Sequence, residues 1–181
     1  MDIKKNHRKH FNLECFDKIS DNTFINEETG IWLKFYNNGF VQNKINYLIE
    51  DIVEERAPLR VHSYDENPSE VSYDIDGNVI NINYSDIGKL HSVGGQCLFN
   101  KKNGISYWMH GKRHDETVKR VFEYFDVPFN KIGAGKLLPF IKIFYKSPEK
   151  IDEFLDILNS LEIKVVDCDS EKVELLEISY F

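Results

Sequence analysis

The chain has 181 residues, 41% of them hydrophobic, and sets 30 acidic residues against 23 Lys and Arg for a formal net charge of −7. That apolar content suffices for a packed core in one sizeable domain or two small ones, whereas the carboxylate excess argues against direct nucleic-acid binding, which relies on Lys and Arg displacing counterions from phosphates. No apolar run reaches the roughly 18–20 residues that cross a bilayer, and the N-terminus is polar where a signal peptide would be apolar, so a cytoplasmic protein with no membrane partner is expected.

From the N-terminus, residues 4–10 (KKNHRKH) form a basic cluster that is expected to be a solvated tail. Residues 30–40 (GIWLKFYNNGF) carry Trp32, Tyr36 and Gly39 and are expected to form a hairpin. In residues 43–55, Ile45, Leu48, Ile49, Ile52 and Val53 recur at helical spacing, and Pro58 closes the segment. Val71, Tyr73 and Ile75 lead into Asp76-Gly77-Asn78, and Val79, Ile80, Ile82 and Tyr84 lead out, which is hairpin patterning. Asp74 and Asp76 fit turn chemistry there better than an acid–base pair. Cys97, Leu98 and Phe99 then precede Asn103-Gly104, with Ile105, Tyr107 and Trp108 beyond it; Asn-Gly between apolar runs is a strong hairpin signal.

Two short phrases frame this hairpin: Gly88-Lys89-Leu90-His91 and Gly111-Lys112-Arg113-His114, about 23 residues apart. A repeat of that period points to small β-units that bury their apolar faces only by stacking. The stretch from Gly88 to His114 resembles the MORN-like repeats of bacterial and phage proteins, whose units run Gly-Lys-x-His-Arg-x-Asp-Gly-Pro-Ala, then a hairpin, then an aromatic just before the next Gly. Here Ser92, Gly94 and Gln96 stand where that pattern has Arg, Asp and Pro. The resemblance covers residues 59–114. It implies a β-hairpin scaffold of mixed or unknown role, with the His after each Gly-Lys as a structural turn residue.

Beyond the repeat, Val118, Val121, Phe122 and Phe125 form a helical stripe that starts at Asp115 and stops before Pro128. Residues 132–140 (IGAGKLLPF) hold a Gly-x-Gly-Lys fragment of a phosphate loop, but Asn130 and Leu137 stand where a Walker loop needs Gly and Ser or Thr, so a flexible connection through Gly133-Ala134-Gly135 to Lys136 is expected. Residues 140–145 read as a strand. Ser147, Pro148, Ile151, Phe154, Leu155 and Leu158 read as a capped helix, and residues 163–167 and 173–181 as two more strands. The expected fold class is therefore α+β: an N-terminal hairpin and helix over 1–58 and consecutive antiparallel β-hairpins over 59–114, packed beside a C-terminal α-β-α-β-β layer over 115–181.

The chemistry is sparse. His91, His110 and His114 with Cys97 invite a zinc reading, but His110 sits at a strand end and His114 beyond a Gly turn, and there is no His-Glu-x-x-His arrangement. His62 with Asp65 is the other acid–base pairing that the spacing offers. No catalytic residue, cofactor site or metal site is assigned. Cys15, Cys97 and Cys168 are odd in number and widely spaced, the pattern of free thiols. Strand alternation sends Tyr107 and Trp108 to opposite faces, and carboxylates concentrate after Pro148. Tyr107, Trp108, Asp152, Glu153 and Asp156 are accordingly the candidate partner-binding residues. The expected function is that of a non-enzymatic, acidic, protein-binding inhibitor encoded by a phage or mobile element, of the anti-defence (anti-CRISPR-like) kind, acting on a basic nucleic-acid enzyme. The alternatives are an immunity protein against a bacterial toxin and a His-dependent hydrolase or nuclease.

Overall fold

The computed structural model describes residues 7–55, 57–144, 150, 153, 155 and 156. The chain runs through β1 (Asp17–Ser20), β2 (Thr23–Asn26), β3 (Ile31–Phe35), β4 (Val41–Asn46), a short helix α1 (Ile49–Val53), β5 (Glu70–Tyr73), β6 (Val79–Asn83), β7 (Ser85–Asp86) and β8 (Lys89–Leu90). It continues through β9 (Leu98–Asn100), β10 (Gly104–Ser106), β11 (Trp108–Met109), β12 (Lys112–Arg113), α2 (Asp115–Tyr124) and α3 (Lys131–Phe144). An eight-stranded antiparallel sheet has the order β1-β2-β3-β4-β5-β6-β9-β10; β7-β8 and β11-β12 form separate two-stranded hairpins. The mixed α+β class and the consecutive hairpins agree with the sequence patterning.

Period-2 alternation gives the large sheet two different faces. Cross-strand partners Phe24, Leu33, Lys44, Val71, Ile82, Phe99 and Ile105 share one face. It is covered at one end by Phe11, Leu13 and Phe16, which pack with Phe24, Leu33, Phe35, Val41 and Tyr73. At the other end, Ile105 and Tyr107 join Val118, Val121 and Phe122 of α2 and Ala134, Leu137 and Ile141 of α3 in a second core. The opposite face carries Lys34, Asn43, Ser72, Asn81 and Asn100 in one cross-strand row, with Ile25, Trp32, Ile45, Glu70 and Asn83 in the next. None of these residues belongs to either core.

Several segments depart from the sequence-based expectation. The basic cluster is anchored as far as it is described: Arg8 N–H donates to Gly39 O at 2.7 Å, and its guanidinium lies 4.6 Å from the Phe24 ring centroid. Stacking a planar, weakly hydrated cation on a ring stabilises what would otherwise be a loose end. Residues 43–46, expected to be helical, are strand, because β4 is paired on both sides by β3 and β5. Only Ile49–Val53 is helical, and its one buried residue is Asp51, not the apolar stripe. The expected flexible connection and the strand at 140–145 are instead the single helix α3 up to Phe144. Asn130 caps it, its Oδ1 accepting the Gly133 N–H at 2.9 Å. Gly133 serves close packing there, since a Cβ would collide with Pro128 O. In the C-terminal part, Lys150, Glu153, Leu155 and Asp156 are helical, and Leu155 joins the second core. The strands expected at 163–167 and 173–181 lie outside the described residues.

A candidate site in the clasped hairpin stack

The two Gly-Lys-x-His phrases fold into matching hairpins. Ile87-Gly88 and His110-Gly111 form the tips, with φ of 45° and 79° in the first and 46° and 82° in the second. Positive φ at both central residues defines the type I′ turn, whose twist matches that of paired strands. Gly serves the second position without strain, whereas Ile87, β-branched and about half exposed, is an outlier there.

Each hairpin is held by a His-Ser dipeptide from the preceding unit. In the first, His62 Nδ1 accepts the Ile87 N–H at 3.3 Å, Ser63 Oγ accepts the Ser85 N–H at 3.1 Å, and Ser63 N–H donates to Ser85 O at 2.8 Å. In the second, His91 Nδ1 accepts the His110 N–H at 3.1 Å, Ser92 Oγ accepts the Trp108 N–H at 3.0 Å, and Ser92 N–H donates to Trp108 O at 2.6 Å. The turn glycines repeat as well, Gly88 N–H donating to Val61 O and Gly111 N–H to Leu90 O, both at 2.8 Å. His91 and His114 close the units by donating their N–H groups to Tyr84 O and Tyr107 O.

The same register extends one unit upstream, where sequence patterning gave no sign of it. Tyr47 bridges Val61 as Ser85 pairs Leu90 and Trp108 pairs Arg113. His62 N–H donates to Asn46 O, the counterpart of His91 on Tyr84. In this first unit the two-residue tip is replaced by residues 49–59, which include α1. A fully buried Asp51 ties the insertion down, accepting from Arg60 N–H at 2.9 Å and from Arg60 Nε at 2.8 Å. The recurring His-Ser dipeptide at 62–63 and 91–92 was the available signal for the clasps. The first unit had none, because its tip and its Gly-Lys are gone.

The electrostatics follow from this use of the histidines. An Nδ1 that accepts a backbone N–H carries no proton, so the clasp at His91 uses the neutral form of the ring. Burial lowers the His91 pKa, the neighbouring His110 lowers it further, and Asp86 opposes both; the His91 and His110 ring centroids are 4.6 Å apart. Among the described residues no group of three or more His, Cys, Asp or Glu side chains is placed to hold a metal ion. Cys15 is exposed, and Cys97 is a free thiol against the second core whose pKa is raised by burial. Asp74 behaves as a turn residue: its Oδ1 accepts the Asn78 N–H at 2.8 Å and the Asp76 N–H at 3.2 Å, and the Asn78 bond leads in holding its carboxyl below the usual range.

The candidate partner-binding residues separate. Tyr107 is 2% exposed, so its ring is core and offers nothing to a partner. Its N–H donates to Asp115 Oδ1 at 2.7 Å, and its hydroxyl has no hydrogen-bond partner among the described residues. Trp108 is half-buried, with its indole N–H donated to Ser106 Oγ at 3.1 Å. Glu153 and Asp156 are exposed on either side of the buried Leu155, and Asp152 lies outside the described residues. Tyr107 and Leu155 share the second core.

Comparison with family models, with characterised proteins and with solved structures returns no match. No helix among the described residues is long and apolar enough to cross a membrane.

Proposed function

We propose that this chain is a non-enzymatic, protein-binding inhibitor built on a MORN-like hairpin scaffold, of the phage or mobile-element anti-defence (anti-CRISPR-like) kind, acting in the bacterial cytoplasm on a basic nucleic-acid enzyme. The observation that carries the reading is how the repeat spends its reactive side chains. The lone pairs of His62 and His91 and the hydroxyls of Ser63 and Ser92 are engaged by backbone N–H groups of the next hairpin. A nucleophile or general base needs those same electrons free. Trp108 and the exposed Glu153 and Asp156 remain as an aromatic anchor and acidic contacts, the combination that suits a basic partner.

The test is binding kinetics against a purified CRISPR nuclease or another basic nuclease that the protein inhibits. Glu153→Lys with Asp156→Lys should slow association and weaken its salt dependence, because charge acts mainly on encounter. Trp108→Ala should instead speed dissociation by about thirtyfold or more, the scale of an anchor residue. Unchanged kinetics in both variants, or cleavage of nucleic acid by the purified protein, would overturn the proposal.

A further inference from the structure

The face of the eight-stranded sheet that belongs to neither core is built from residues that strands ordinarily avoid. Asn is depleted in β-structure because it offers no branched or aromatic surface to its neighbours, yet Asn43, Asn81 and Asn100 stand in one cross-strand row with Ser72. The row is ordered by its own hydrogen bonds. Asn43 Nδ2 donates to Ser72 Oγ at 2.9 Å, and Asn100 Nδ2 to Asn81 Oδ1 at 3.3 Å. These bonds leave Asn43 Oδ1, the Ser72 hydroxyl proton and Asn81 Nδ2 without partners among the described residues, so an acceptor and two donors remain available in the row. In the adjoining row, Trp32 lies between Ile25 and Ile45 as a half-buried apolar strip.

At the β2–β3 end the row runs into an open cavity of about 690 Å³, within the range of small-molecule sites. Asn22, Thr23, Lys34, Tyr36, Asn38 and Gln42 are among its lining residues. Amides and hydroxyls that both donate and accept, beside an apolar strip, match a ligand carrying many hydroxyls around the edge of a ring with apolar faces. Charge narrows the class. The charged side chains at the paired positions of the two rows are Asp17, Lys34 and Glu70, of mixed sign, and Asp21 lines the cavity. With a net charge of −7 over the chain, a polyanion gains nothing here, and a polycation finds in the rows only Asp17 and Glu70, set four strands apart, with the cation Lys34 on a strand between them. The row presents a polar group on each strand, at a spacing of about 4.8 Å, close to the advance per ring of an extended β-linked glycan.

We propose that this face binds an extended, uncharged, β-linked oligosaccharide. Its rings lie along the Lys34-to-Asn100 row, with ring hydroxyls on Asn43, Ser72 and Asn81, the Trp32 indole against an apolar ring face, and the terminal sugar in the cavity. The inference goes beyond the inhibitor proposal and shares no residue with the surface invoked there.

Cellohexaose and chitohexaose are the probes, titrated into the full chain by calorimetry and by amide chemical-shift mapping. One of them should bind saturably at millimolar concentration or below, at least about tenfold tighter than its disaccharide, with shifts confined to β2–β6, β9 and the cavity. Trp32→Ala should weaken binding by about tenfold, the scale of one aromatic anchor. Asn43→Ala with Asn81→Ala, both half-buried and outside the two cores, provides the same test should Trp32→Ala fail to fold. Absence of binding by both hexasaccharides, binding unaffected by the amide pair, shifts on another face, or preference for a single-stranded oligonucleotide or a basic peptide would each overturn the proposal.

Discussion

If the hairpins are equivalent units, one perturbation made in each should have the same physical cost. Ser63→Ala and Ser92→Ala each delete one acceptor and leave the backbone N–H of Ser85 or Trp108 without its bond. Ser63 and Ser92 are 6% and 5% exposed and Ser85 is 2% exposed, so water cannot readily replace the lost hydroxyl. Leaving a buried donor unsatisfied costs about 1–3 kcal/mol. The first clasp is enclosed on both sides and belongs in the upper half of that range; the second ends on half-buried Trp108 and belongs in the lower half. For a chain of this size about 2 kcal/mol lowers the melting midpoint by about 4–8 °C. Urea unfolding followed by far-UV circular dichroism and Trp fluorescence measures both, with an unchanged m-value showing that the unfolded state is unaltered. Ser20→Ala, on the exposed edge strand β1, is the neutral control. Should either clasp variant fall within about 0.5 kcal/mol of the parent, as ordinary surface substitutions do, the clasps do not hold the stack and the equivalence of the units is lost.

Ile87→Asn should raise stability by about 1 kcal/mol, because Asn tolerates the left-handed conformation that a β-branched side chain resists; a destabilised variant in urea unfolding would show that the Ile87 side chain contributes contacts worth more than its strain. Stability should also depend on pH through His91, whose folded pKa is depressed below the ordinary 6.5 by burial and by His110, against Asp86. The folded state holds the neutral ring, so this contribution is complete above about pH 6.5 and declines as pH falls from there through the lower folded pKa, when the unfolded chain takes up the proton first. Urea midpoints between pH 8 and 5.5 should fall for the parent and fall less for His91→Gln, which keeps an acceptor that does not titrate; identical slopes would remove His91 from the account.

Local chemistry was legible where a residue acts within its own hairpin or helix. The Gly-Lys-x-His repetition, the Asp74 turn and the Val118–Val121–Phe122 stripe of α2 were visible because each rests on contacts a few residues apart. Even there, the loop before Gly104 closes one residue earlier than Asn-Gly patterning suggests: Gly104 is already in β10, and the Asn100 side chain accepts the Lys102 and Asn103 N–H groups. Residues 43–46 illustrate the limit. Their apolar spacing fits a helix, and two neighbouring strands that the spacing cannot contain draw them into the sheet. For α3 the opposite happened: Gly133, Gly135 and Pro139 signal a break, but burying Ala134, Leu137 and Ile141 outweighs their low helix propensity.

The amino-acid pattern by itself determined the hairpins, the acidic balance and the repeat, since turn residues, charge and period act at short range. Tertiary structure alone decided that His62 and His91 serve as acceptors for the next unit, that Tyr107 is core and Trp108 half-buried, and that one face of the sheet carries a row of amides. Each of those outcomes depends on which strand lies beside which. That adjacency is set by burying two apolar clusters whose members lie far apart along the chain.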